Sequence, residues 1–199
     1  MTNEIRIVPA IDLDPDLLLT TEGNADARFL EAFSESRLSR LCPLIGQSRM
    51  YSVVDVQKDL AIVARFLIDE VYPEDSEIIL VGGYCFFEGD EYRFGGGGTY
   101  QFHREWEKGF ERIKRSSVVE VYEGELRYKI IKSGVDITVI CKKGEISNSY
   151  EDFLAKVEKA VNDNLKFKVN LVAELLRQGL GVREELIWSW FGGRPAGVV

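Results

Sequence analysis

Three groups of residues in this chain have types and spacings that could support chemistry. The run Gly95-Gly96-Gly97-Gly98 could present successive backbone N–H groups to an anion, because glycine reaches the positive φ angles that such a nest requires. Thr99 and His103 are the polar side chains nearest to it, so a ligand loop here would be built from Gly96, Gly97, Thr99 and His103. The surroundings fit poorly with a phosphate loop. Neither Gly-Lys-Ser/Thr nor GxGxxG opening a helix is present, and Thr99-Tyr100-Gln101-Phe102 alternates like a strand. We therefore expect a flexible loop or strand connection.

Asp12, Asp14 and Asp16 follow the apolar run Ile5 to Ile11, an arrangement that can hold a divalent metal after a strand. An EF-hand is excluded, since Leu17 stands where its glycine is needed and Gly23 where its bidentate Glu is needed. A solvated acidic turn is the expected reading, with no metal assigned; Asp12 and Asp14 are the ligands if one binds. His103 is the only histidine, so a multi-histidine metal site is ruled out and any Cys-His pair has a single possible base. At the start of a short helix, Arg104 to Lys114, it is expected to be a surface or capping residue. Cys42, Cys85 and Cys141 are odd in number and widely spaced, which leaves neither a disulfide framework nor a CxxC pair. Cys85 lies within an apolar run and Cys141 ends one, and both read as buried, inert thiols.

The third group is a set of contact residues. Residues 51–99 hold ten acids and three bases, a net of −7, whereas residues 100–199 hold 17 bases and 15 acids, a net of +2. Glu74, Asp75, Glu77, Glu88, Asp90 and Glu91 flank one hairpin and could converge at one end of a sheet, steering a basic partner. Trp188, Trp190 and Phe191, followed by Gly192-Gly193-Arg194-Pro195, have the composition of an aromatic hot spot beside an adaptable tail.

The elements that must position these residues follow from periodicity. Ile5 to Val8 reads as a short β segment within an extended arm or edge segment, residues 1–24. A helix is expected from Asp26 to about Arg40. Val56, Leu60, Val63, Leu67 and Val71 trace the stripe of a second helix, which Ser52-x-x-Asp55 caps and Pro73 stops. Glu77 to Phe87 reads as a strand, and a Gly89-Asp90 turn pairs Phe87 with Tyr92 and Cys85 with Phe94. Between Val118 and Cys141, two-residue turns at Glu123-Gly124 and Ser133-Gly134 put Val119, Val121, Leu126, Tyr128, Ile130, Ile137, Val139 and Cys141 on one face. They also set Glu120 across from Arg127 and Lys129 across from Thr138. Ser149-x-x-Asp152 caps a helix to about Asn162; a second helix stops at Gly179, with Leu180 as its hydrophobic cap contact, and a third carries Val182, Leu186 and Trp190.

The fold class is thus α+β: an antiparallel sheet, made of a hairpin and a three-stranded meander, packed on one face by helices and followed by a helical C-terminal segment. One domain is expected over 1–199, with residues 192–199 a flexible tail. The 199 residues carry 33 acids against 25 Lys plus Arg, a formal charge of −8, which argues against a protein that tracks a nucleic-acid backbone. The absence of a long apolar run and of a leader-like start argues for a cytoplasmic chain that spans no membrane. Lacking a complete catalytic constellation, the sequence is read as a non-enzymatic factor, such as an inhibitor, an immunity-type protein or an adaptor, that binds a partner protein and needs no cofactor. Its expected contacts are Glu88, Asp90, Glu91, Trp188, Trp190, Phe191 and Arg194. The alternative is an enzyme or small-ligand domain built on the Gly95–Gly98 loop. Partner identity and oligomeric state are not legible.

Overall fold

The structure is a computed structural model that describes residues 4–13, 40–41, 43–45, 50–71, 81–96, 98–99, 102–178 and 184–195. The expected helix from Asp26 to Arg40 lies almost wholly outside these residues, as do the loop after Gly46 and the start of the strand at Glu77. Chain contacts divide the protein into two compact units: Met1–Ala10 with Val81–Asp163, and Ile11–Leu80 with Asn164–Val199. Its class is α+β, with antiparallel sheets and helices.

In the first unit, β1 (Ile5–Asp12) and β4 (Glu91–Gly95) flank β3 (Val81–Glu88), and the short β5 (Gly98–Thr99) also pairs with β3. Ile5 and Ile7 of β1 are buried, so the described part of the N-terminal segment is a strand of the sheet. The β3–β4 hairpin turns at Gly89-Asp90, with Gly89 at φ +61°, and pairs Phe87 with Tyr92 as expected. Between Phe86 and Phe87 the register then shifts, so Phe94 faces Phe86 and Cys85 faces Gly95. A bulge rotates the residues beyond it. It brings Phe94 against Phe86, ring centroids 5.2 Å apart, in place of the expected partner Cys85.

A second sheet runs β6 (Val118–Glu123), β7 (Leu126–Ser133), β8 (Asp136–Cys141) and β9 (Gly144–Ser149), each antiparallel to the next. The inward face is the one expected, with Val119, Val121, Tyr128, Ile130, Ile137 and Val139 buried. The partners differ. The turns fall at Gly124-Glu125 and Gly134-Val135, so Glu120 lies across from Lys129 and Lys129 across from Ile140. Both glycines take the first turn position at φ +59° and +62°, and no described non-glycine residue has a positive φ. That is the chemistry of a type II′ turn, and it moves each turn by one residue while preserving which side chains face the core. One result is that Glu123 joins the buried face. The fourth strand, β9, escapes the alternation rule because Ile146 is its one buried residue.

Helix α3 (Phe102–Ile113) supplies Trp106, Phe110 and Ile113 to a single core that also holds Tyr84, Phe86, Phe94, Tyr128, Phe153 and Val157. Gly109 is required there. A Cβ at that position would stand 2.4 Å from the side chain of Val121.

In the second unit, β2 (Met50–Ser52) leads into α1 (Val53–Val56), a 3₁₀ turn over Gln57–Asp59, and α2 (Leu60–Val71). Ser52 Oγ accepts the Val54 N–H at 3.3 Å, the expected cap, but the 3₁₀ turn divides the single expected helix. The last long helix, α4 (Tyr150–Arg177), belongs to the first unit up to Asp163 and to the second from Asn164; it is continuous and starts at the Ser149 cap, whose Oγ accepts the Asp152 N–H at 3.3 Å. The expected break at Asn162 is absent because the stripe runs on through Asn164. That amide is buried in a core-facing position between Ala160 and Phe167. Gly179 and Leu180 lie outside the described residues. Helix α5 (Glu184–Trp190) ends the described fold.

Candidate functional site

The expected contact residues fall in two places: the hairpin tip, and a C-terminal group in which Trp188 and Phe191 are buried and Arg194 is exposed. At the β3–β4 turn, Gly89 supplies the left-handed conformation, and its N–H donates to Glu4 O at 2.7 Å, which ties the hairpin tip to the start of β1. Glu88, Asp90 and Glu91 are thereby collected at one corner, the Asp90 side chain 99% and the Glu91 side chain 72% exposed. Arg6 donates to Asp90 Oδ1 at 2.8 Å while its guanidinium lies 5.2 Å from the centre of the Phe87 ring. Arg93 stands 3.2 Å from Glu91 and 3.7 Å from Glu88. The corner therefore holds three carboxylates and two guanidiniums, and the neighbouring Glu4 carboxylate is paired with Lys156 at 3.5 Å. Sequence position alone missed Arg6, which reaches the tip from 84 residues away. Glu74, Asp75 and Glu77 lie outside the described residues.

Trp188 and Phe191 are not free anchors. Trp188 is 4% and Phe191 0% exposed, with their rings packed edge to face at 6.3 Å. Trp188 Nε1 donates to Glu184 at 3.0 Å, and Arg194 reaches the same carboxylate at 2.9 Å while lying over the Trp188 ring. Gly192, at φ +77°, donates to Ser189 O, and Gly193 donates to Trp188 O, a Schellman closure of α5. Gly192 and Gly193, the first residues of the expected tail, thus close the helix, and residues 196–199 lie outside the described residues. The side chain of Trp190 lies outside the described residues.

The first two glycines of the run are likewise interior. Gly95 belongs to β4 and Gly98 to β5; Gly95 and Gly96 are buried, and Gly97 and the Thr99 side chain lie outside the described residues. Beneath it sits the carboxylate of Glu123, 3% exposed, whose Oε2 accepts the Tyr128 hydroxyl at 2.8 Å. Gly83 makes the room. A Cβ there would meet Glu123 Oε1 at 2.7 Å and the Gly96 Cα at 2.9 Å. Tyr92 closes the side by donating to Gly95 O at 2.7 Å. The Cys85, Tyr92 and Tyr128 protons are held more tightly than usual. Burial, then the charge of Glu123, pushes the Cys85 thiol up; burial, then Cys85 and Glu123, raises the Tyr92 phenol; burial, then Glu123, raises that of Tyr128. A thiol or phenol so placed stays protonated, and what the cluster does is hold β3, β4, β6 and β7 together. Glu123 escaped the sequence reading because it was assigned to a turn, although the Gly-x order of Gly89-Asp90 recurs in Gly124-Glu125.

His103 is also buried, at 0% exposure, which corrects the expected surface position. Its ring meets that of Tyr84 edge-on at 4.9 Å, and the Tyr84 hydroxyl donates to Glu107 at 3.0 Å. Asp12 ends β1, while Asp14 and Asp16 lie outside the described residues; among the described residues no three His, Cys, Asp or Glu side chains converge as metal ligands. An open depression of about 530 Å³ runs along the exposed side of α3, lined by Arg104, Glu105, Glu107, Lys108, Glu111 and Arg112.

A labelling experiment checks the inert thiol. Under native conditions iodoacetamide should modify the half-buried Cys141 first, and Cys85 about a hundredfold more slowly or slower still, reacting only after denaturation. Equal rates at the two sites, read by peptide mass spectrometry, would show that the Glu123 cluster is open.

Comparison with family models, curated proteins and solved structures gives no match. No described helix is long and apolar enough to cross a membrane.

Proposed function

We propose that this protein acts by binding another protein through the β3–β4 hairpin tip, in the manner of an inhibitor, an immunity-type protein or an adaptor. The observation that carries this reading is the tip itself. Its carboxylates project from a two-residue turn whose backbone is tied to β1, so they are presented to solvent on a fixed frame. Exposed ion pairs such as Arg6–Asp90 and Arg93–Glu91 contribute about 0–1 kcal/mol each, so a cation of the partner can replace either arginine at small cost. The excess of carboxylates selects a basic surface, in keeping with the formal charge of −8. The buried aromatics of α5 are left out of this contact. A ligand reading of the glycine segment would require Gly95 and Gly96 to leave the interior, which makes it the weaker account.

The test is a capture experiment from the native host, with full-length protein and the double variant Asp90→Asn/Glu91→Gln as bait. Basic proteins retained by the wild type should be lost from the variant and elute early as salt rises. Identical captured sets would remove the tip from the account.

A further inference from the structure

Strand β6 is the outer strand of its sheet, and its register fixes which backbone groups face outward. Lys132 N–H donates to Ser117 O at 2.7 Å just beyond the β6–β7 pairing, in which Val119 lies across from Ile130 and Val121 across from Tyr128. Antiparallel pairs alternate between exchanging both backbone bonds and exchanging none. Ser117, Val119 and Val121 therefore point their N–H and C=O groups at β7, and Val118, Glu120 and Tyr122 point theirs away from it. The side chains of these last three are on the outer face, with Val118 46% and Tyr122 50% exposed. Such an edge invites a further strand.

Two features oppose this. Arg112, from the last turn of α3, donates through Nη2 to the outward carbonyl of Glu120 at 3.0 Å, taking the middle acceptor of the edge. Glu120 is itself the second. In the two-fold antiparallel pairing that would satisfy all three outward residues, Val118 meets Tyr122 of the other copy and Glu120 meets its own counterpart, placing two carboxylates together. Each carboxylate already holds Arg127 and the Tyr122 hydroxyl at 2.8 Å, with Lys129 across the strand, so the pairing sets two filled Arg127–Glu120–Tyr122 clusters against each other and neither carboxylate gains a donor from the other copy.

We propose that Arg112 and Glu120 guard the β6 edge, keeping it from pairing with β6 of a second copy of this chain. The guard is a property of the surface and independent of the hairpin tip.

Molar mass measured across a concentration series tests it. Wild type should stay at 22.6 kDa, Arg112→Ala should show a rising mass at high concentration, and Arg112→Ala/Glu120→Thr should approach twice 22.6 kDa. Adding Tyr122→Pro, which removes one outward N–H and suits an edge position, should abolish the rise. Hydrogen exchange gives a second reading. In wild type the amides of Val118, Glu120 and Tyr122 should exchange freely beside protected Val119 and Val121, and in the double variant the three outward amides should slow by about tenfold or more. Both Arg112 variants remaining at 22.6 kDa, or outward amides already protected in wild type, would overturn the proposal. Arg112→Ala removes only an exposed side chain, so its result is readable even if the double variant fails to fold.

Discussion

Gly95→Ala should unfold the first unit at a markedly lower temperature than wild type. Gly95 sits at φ +98°, and a Cβ there would fall 2.0 Å from the carbonyl oxygen of Tyr84. Neither partner can yield. Tyr84 lies in the central strand β3, fully buried among His103 and Phe110, and the Gly95 carbonyl is held by Tyr92. Left-handed backbone and a hard overlap together should cost about 3 kcal/mol or more, a fall of about 10 °C in Tm. Gly89→Ala is the matched control. It has φ +61° but nothing within 4 Å of its Cβ position, so only the backbone cost of about 1 kcal/mol applies. Thermal melts followed by circular dichroism should separate the two; equal shifts would mean that the contact with Tyr84 is not tight.

Trp106→Ala should be the most damaging side-chain truncation. The indole is fully buried, with ring centroids 4.8 Å from Phe86, 4.7 Å from Tyr128 and 5.6 Å from Phe110, so it joins β3 to β7 across α3. Removing it leaves a cavity and costs about 3–5 kcal/mol. Trp106→Phe should cost much less than area alone suggests. The indole N–H has no hydrogen-bond partner among the described residues, and losing a buried, unpaired donor offsets part of the lost contact. Chemical denaturation of the two variants checks this, and a Phe variant as unstable as the Ala variant would contradict it.

The inward faces of the second sheet were legible because alternation survives an error in turn placement: moving both turns by one residue changed every cross-strand partner and no facing. Helix caps at Ser52 and Ser149 were legible because they are local. What was not legible depends on the third dimension. The bulge that gives Phe94 to Phe86 leaves no mark on the sequence, and β9 has too few apolar residues to announce itself. Helix α4 looked broken because a polar residue, Asn164, occupies a core position. At the candidate site, charge density along the chain found Glu88, Asp90 and Glu91 but not Arg6, whose approach requires β1 to lie beside β3. The aromatic cluster of Trp188 and Phe191 has the composition of a contact surface, yet composition does not distinguish a surface from an interior.

The hairpin tip is the center of the account, and binding between this protein and a captured basic partner tests it most directly when measured from low to high salt. Wild type should lose affinity steeply as salt rises, while Asp90→Lys/Glu91→Lys should bind about tenfold more weakly or worse at low salt and show a flattened salt dependence. Equal affinities for the two proteins at every salt concentration would contradict the claim that these carboxylates meet the partner.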